Sequence, residues 1–325
     1  MPHDPPDTSL TLEAEAFNRR SSEREAAGYL PDLRRAVRCE YFYKSFWRDP
    51  HFLRLYMGYV VDLFLEQIRR NVAPGARILD VACGPGYVSL ELARNGYDVL
   101  GIDIAGTAIA SARQTAAENP YLDGFGHLRY ETAAFTPDQR AAFEGPFDVI
   151  LFSGALHHFK ALDEAMALTS ELLAPGGIVI ASEPQHAVWT EQDAAQVALI
   201  RSLLTLTGFW YQDEAASDEP GLDALVKAIH TEYLHERDPG EPGGQSPNDL
   251  SHDGPEILEA LKRQFDTVET LQTVSFTYRV LGGLRGPQDQ INKIADFLAA
   301  YDRYAVAKGH LNANAFIFVG RNHAA

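Results

Sequence analysis

The chemistry legible in this chain begins at a tight turn. In ILDVACGPGYVSLELA, Asp80 lies near the end of an apolar run, and Gly84 and Gly86 lead into a helix that starts near Tyr87. Glycine accepts backbone angles that other residues avoid, and without a Cβ it lets a ligand come close to the chain. Asp103 ends the next run, YDVLGID, roughly twenty residues on, where a carboxylate can accept hydrogen bonds from both hydroxyls of a ribose. The plainer alternative for Asp103 is a cap on the helix of IDIAGTAIASAR. The dinucleotide pattern G-x-G-x-x-G needs a third glycine at position 89, and Ser89 stands there, which weakens NAD and FAD. Asp80 places negative charge beside the turn and suits a ligand with a positive amino group or sulfonium.

A second group of candidates follows the run FDVILFSG. His158 and, after it, His157 are the residues whose imidazoles, titrating near neutral pH, can take a hydroxyl or ammonium proton. The same Leu-His-His also suits a cap on the next helix. Glu183 in SEP ends a further run and either orients an acceptor or is a solvated turn carboxylate. Tyr43, His186, Trp189, Tyr211 and His252 are candidates for a substrate pocket, since such rings stack on planar molecules or cage a cation. They equally suit the core of a lid. No H-E-x-x-H or paired C-x-x-C pattern is present, so no metal is expected.

These side chains need a scaffold. Between Arg77 and Ile180, short aliphatic runs (ARILDVA, YDVLGID, HLRYETA, FDVILFSG and GIVIASE) alternate with helix-like stretches. That alternation implies βαβ units and a parallel sheet, whose ligands bind beyond the carboxyl ends of the strands. The expected layout is a helical lid over 1–72, a cofactor-binding core over 73–184, a helical cap and loop over 185–253, and the rest of the core with its final antiparallel strands over 254–325. A helix over Pro255 to Phe265, a strand near Val268 to Tyr278 and a helix near Gln288 to Tyr304 are expected in that last part. The polar first thirty residues promise little function.

The chain has 325 residues with 46% hydrophobic content, enough to bury a substantial core. Its formal charge of −17 disfavours a nucleic-acid partner, because that affinity comes largely from Lys and Arg on phosphates. It also disfavours an anionic membrane surface. Two cysteines, Cys39 and Cys83, make no disulfide framework, and MPHDPPDTSL lacks the regions of a signal peptide. A cytoplasmic protein is expected, with its oligomeric state left open.

From about Ala76 to Pro184 the sequence resembles the class I S-adenosylmethionine-dependent methyltransferase family. LDVACGPG resembles the first motif and Asp103 the acid after the second strand. FDVILFSGALHHF resembles the fourth-strand motif, LLAPGGIVIASEP the Pro-Gly-Gly turn into the fifth strand, and NANAFIFVG the last strand. The resemblance implies an α/β fold: a Rossmann-like, seven-stranded, mostly parallel sheet with helices on both faces, a helical N-terminal lid and an inserted helical cap. It implies S-adenosyl-L-methionine as cofactor, with Asp80, Gly84 and Gly86 around the methionine portion, Asp103 on the ribose and Ile104 on adenine. Ala82, Ala134, Phe135 and Ser153 complete that set. In ETAAFTP, Ala133, Ala134 and Phe135 occupy the place where the family often carries a polar contact to the adenine amine. The function implied is methylation of a small-molecule acceptor at oxygen, nitrogen or carbon, with natural-product or sugar tailoring as the guess. RNA or protein methylation, or a non-methylating binding module, are the alternatives.

Overall fold

The computed structural model describes residues 8–235, 246–249 and 251–323. Strands β1 (Arg77–Val81), β2 (Asp98–Asp103), β3 (His127–Thr132), β4 (Phe147–Ser153), β5 (Leu173–Pro184), β6 (Asp266–Gln272) and β7 (Ala315–Arg321) form one sheet in the order β3-β2-β1-β4-β5-β7-β6. The first five pair in parallel, and β7 enters antiparallel between β5 and β6.

The central strands are apolar on both sides because helices cover both sides. Ile78, Val99, Val149, Leu151, Ile178 and Ile180 join one core, while Leu79, Leu100, Ile150, Phe152, Val179 and Ala181 join the other. That split is the period of two expected of a strand. In the N-terminal part, α1 (Thr8–Ala26), α2 (Pro50–Leu53) and α3 (Tyr59–Asn71) precede the sheet. Helices α4 (Tyr87–Arg94), α5 (Gly106–Ala117) and α6 (Leu162–Leu172) make the crossovers after β1, β2 and β4. Then come α7 (Glu191–Leu206), α8 (Glu219–His235), α9 (Gly254–Gln264), α10 (Thr277–Val280) and α11 (Gln288–Ala307). Among the described residues no helix is long and apolar enough to cross a membrane.

One detail departs from expectation. The strand expected near Val268 to Tyr278 ends at Gln272, because the buried Asp302 carboxylate gathers the N–H groups of Ser275, Phe276 and Thr277 at 2.8–3.1 Å and bends the chain into α10. The last two strands are joined through α10 and α11, the second of which is the helix expected near Gln288 to Tyr304. Helix α1 packs over α5, with the Thr107 N–H donating to Asn18 Oδ1 at 2.9 Å. The segment from 236 to 245, part of the expected cap loop, lies outside the described residues.

Candidate active site

A cavity of about 1430 Å³ opens where β1, β2, β4 and β5 end, roofed by α1, α7 and α8. Its floor is the turn after β1, where Ala82, Gly84 and Gly86 all take positive φ (56°, 53° and 80°). The two glycines serve different ends. Gly84 lines the cavity, a Cβ there would meet nothing within 4 Å, and its N–H donates to Asp103 Oδ2 at 2.8 Å. Gly86 lies behind the wall, and a Cβ there would run into the Tyr130 hydroxyl, which donates to the Gly86 carbonyl. Its missing side chain makes room for a tyrosine; the expectation that it makes room for the ligand is corrected accordingly.

Asp103 lines the cavity with both carboxylate oxygens held by backbone, Oδ1 by the Ala105 N–H at 2.8 Å. Burial keeps its carboxyl above the usual range despite those two bonds. Asp80 is placed one layer lower than the resemblance implies, 1% exposed, accepting from Ser89 Oγ at 2.5 Å. Burial raises its carboxyl to about 7, with the neighbouring Asp103 charge adding to the rise. Ala82, Ile104, Ala134, Phe135 and Ser153 all line the cavity. The Ala134 N–H is already donated to Gln139 Oε1 at 3.0 Å, a local bond that no motif announces.

The short turn after β4 presents both histidines to the same cavity. His157 Nδ1 lies 2.8 Å from Glu183 Oε2, and Glu183 Oε1 accepts the N–H groups of Ala155 and Leu156 at 2.9 Å each. Glu183 is 1% exposed, so the solvated-turn alternative does not hold. His158 Nδ1 lies 3.1 Å from Glu13 Oε1 and 3.2 Å from Ser246 Oγ, with the Phe17 ring edge-on. Burial pushes the Glu13 carboxyl up, but hydrogen bonds from His158, Ser246 and Asn248 outweigh it and hold it below the ordinary range. Each imidazole thus has one nitrogen fixed by a carboxylate. Asp249 approaches His157 Nε2 at 4.0 Å, and donor atoms of His157, His158 and Asp249 lie within 4.8 Å of one another.

Glu13 was invisible to motif reading, because α1 carries no signature and its partner lies far along the chain. The region where little function was expected supplies Glu13, Phe17, Arg20 and Arg24 to the cavity wall.

Farther from the floor, the cavity is lined by Tyr43, Trp210, Tyr211, Tyr278 and an ion cluster. Arg201, 3% exposed, donates to both oxygens of Glu232 at 2.8 and 2.9 Å, and Arg279 approaches the same carboxylate at 3.6 Å. Of the expected pocket residues, Tyr43 and Tyr211 are here, but three are not. Trp189 is core, stacked on Tyr233 at 3.9 Å and donating to Ser275 Oγ. His186 is buried away from the cavity because the Asp253 carboxylate anchors its turn through the N–H groups of His186 and Ala187. His252 sits in a separate surface crevice beside Glu256 and Lys160.

The family model described as a methyltransferase domain matches residues 51–218, just over half of the chain. Among relatives, a ubiquinone biosynthesis O-methyltransferase of Caulobacter sp. (strain K31) is 33% identical over 34% of this chain and 42% of its own length. A 23S rRNA (uracil(1939)-C(5))-methyltransferase of Thiobacillus denitrificans is 41% identical over 29% of this chain and 22% of its own. The chain thus spans less than half the length of these relatives. Among solved structures, the magnesium protoporphyrin IX methyltransferase of Synechocystis PCC 6803 superposes with a TM-score of 0.50 at 18% identity, over 96% of this chain and 99% of the other. The [4+2]-cyclase SpnF gives 0.51 at 16% identity, over 98% and 97%. At such identities the likeness speaks for the fold, which is that of the class I S-adenosylmethionine-dependent methyltransferases. The chain belongs to the methyltransferase-domain family.

The floor fits S-adenosylmethionine, the cofactor that the sequence resemblance implies. The Gly84 turn leaves an open face, Asp103 presents a fixed carboxylate for the ribose, and Ile104 and Phe135 supply apolar walls. The cavity also exceeds the roughly 300–1,000 Å³ of a single ligand site, leaving room for a second molecule.

Proposed function

We propose that this chain transfers a methyl group from S-adenosylmethionine to a small-molecule acceptor. The observation that carries the reading is one continuous cavity that joins the Asp103 floor, the two carboxylate-held histidines and the aromatic compartment beyond them. The bound cofactor supplies an electrophilic methyl on its sulfonium. Asp103 holds the ribose, while Ile104 and Phe135 flank the adenine. The compartment around Tyr43, Tyr211 and Tyr278 encloses the acceptor, and alignment within it does much of the catalytic work. His158 takes the acceptor's proton. With Nδ1 turned to the Glu13 carboxylate, Nε2 is its basic nitrogen, and Glu13 stabilises the imidazolium that forms. His157 and Glu183 make a second, more buried pair that positions the turn.

The net charge of −17 supports a small acceptor over RNA. Two buried free thiols, Cys39 and Cys83, support a reducing, cytoplasmic setting.

The test is calorimetric titration with S-adenosylhomocysteine, with NAD as control, followed by an acceptor screen that reads S-adenosylhomocysteine release. Asp103→Ala should weaken cofactor binding at least ~100-fold, since it removes a charge-assisted ribose contact and unpins Gly84 and Ala105. His158→Ala should lower kcat by ~10²–10⁴ with cofactor affinity kept within about threefold. Binding of NAD alone would overturn the reading; unchanged turnover in His158→Ala would leave methyl transfer by alignment and remove the base.

A further inference from the structure

Helix α1 turns one face to the cavity: Glu13, Phe17, Arg20 and Arg24 follow one another at intervals of three or four residues, and all four line it. Glu13, at one end of that face, is taken by His158 and Ser246. Arg24, at the other end, has no such partner. Among the described residues its guanidinium enters no ion pair, and its Nε is buried without a hydrogen bond. It rests on an aromatic shelf: its Cζ lies 5.4 Å from the centre of the Phe42 ring, Phe42 lies 6.2 Å from Trp47, and Trp47 lies 4.9 Å from Tyr87. Those three rings also line the cavity, and Tyr87 opens α4 directly after the turn of Gly84 and Gly86. Burial lifts the Tyr87 phenol above its ordinary range, the Asp80 charge adds to the rise and the Arg24 charge opposes it, so the cation is within electrostatic reach of the floor. A half-buried cation without a countercharge has given up part of its hydration for nothing in return. The arginines of the aromatic compartment differ, since Arg201 and Arg279 share Glu232.

We infer that Arg24 binds the carboxylate of the cofactor's amino-acid tail, so that the roof helix supplies a ligand to S-adenosylmethionine. This rests on the cofactor reading above and adds a residue to that site. With adenine against Ile104 and Phe135 and the ribose on Asp103, the tail runs the other way, over the open Gly84 turn toward Tyr87 and the shelf. It ends in an ammonium and a carboxylate. The acidic floor of Asp80 and Asp103 suits the ammonium and the sulfonium but repels the carboxylate, which needs a cation facing it from the roof. A guanidinium meets that need with two parallel N–H donors matched to the two carboxylate oxygens. An arginine in the last turn of a helix also complements the helix dipole. That role is filled equally well by a side chain pointed at solvent, and it gives no reason for the guanidinium to sit on the cavity wall.

The test is calorimetric titration of the full chain with S-adenosylhomocysteine and with its decarboxylated analogue, which keeps the ammonium, the sulfur and the adenosine, alongside thermal melts of the ligand-free samples. The wild type should bind S-adenosylhomocysteine ~10–100-fold more tightly than the analogue, the range for a hydrogen-bonded charge pair. Arg24→Met should weaken S-adenosylhomocysteine by the same factor and leave the analogue within about twofold, so that the two truncations together cost no more than either alone. The melting temperature should stay level, because no ion pair within the protein has been broken. Arg24→Lys, which keeps the charge and loses the fork, should fall between the two. Arg24→Gln carries the same comparison should the methionine variant fail to fold. The inference is overturned if the wild type binds both ligands alike or if the variant weakens neither. It is also overturned if the variant weakens both alike and melts several degrees lower, the signature of a structural role. Failure of the wild type to bind either ligand would instead strike the cofactor reading.

Discussion

The floor and the roof of the cavity are held in place by different parts of the chain. On the floor, position is a matter of backbone: three positive-φ residues turn the chain after β1, and peptide N–H groups of Gly84 and Ala105 fix Asp103. On the roof, side chains do the holding. Glu13 of α1 meets His158 and Ser246, Ser9 donates to Asn248 at 2.7 Å, and Arg201 clasps Glu232. A backbone-built floor keeps its shape whatever ligand comes. A side-chain roof responds to charge, and so to pH.

The largest expected effect comes from cutting the tie between the two. Arg94 of α4, with a fully buried guanidinium, bonds both oxygens of Asp32, at 2.8 and 2.7 Å, and reaches Glu91 at 2.6 Å. Asp32 belongs to the segment that leads from α1 toward the sheet. Arg94→Met should destabilise by ~3 kcal/mol in urea melts, because it takes the fully buried cation away from Asp32 and leaves it the Arg34 and Arg35 N–H groups, while Glu91 keeps Arg34. A loss under 1 kcal/mol would mean that floor and roof are fastened elsewhere.

Next is the floor itself. Gly86→Ala combines a left-handed backbone with a Cβ driven into Tyr130, and should cost about 3 kcal/mol while lowering cofactor affinity. The same change at Gly84 meets no protein atom and should cost only the backbone term of ~1–2 kcal/mol in the melt. Equal losses at the two glycines would contradict the division of labour between them.

The last contrast is one of pH. The Asp80 carboxyl is raised to about 7 by burial, so the folded protein binds its proton more tightly than the unfolded chain does. Its contribution is complete at low pH and is lost as pH rises toward and through 7. Glu13 is depressed, so its contribution is present above the ordinary carboxylate range and is lost as pH falls below it. Asp80→Asn should therefore raise the melting temperature at pH 8 relative to wild type and do little at pH 4. Glu13→Gln should lower it at pH 8 and matter least near pH 3. Parallel pH profiles for the two variants would dissolve the contrast.

The same contrast decides what the amino-acid sequence alone makes legible. The strands, the turn and Asp103 were legible because glycine at fixed offsets and an acid at a strand end are local signals of backbone geometry. The aromatics misled, since Trp189 in a core stack and Tyr211 on a cavity wall look alike without their neighbours. Glu13 was out of reach, because an ion pair between residues so far apart leaves no spacing to recognise.

The carboxylate of Asp103 has one consequence for how quickly the site reads a ligand. With each oxygen already pinned by a peptide N–H, the side chain has no torsional freedom left to surrender. A ligand that hydrogen-bonds there meets an acceptor pair frozen during folding, so association is limited by the ligand's own ordering and by passage under the roof.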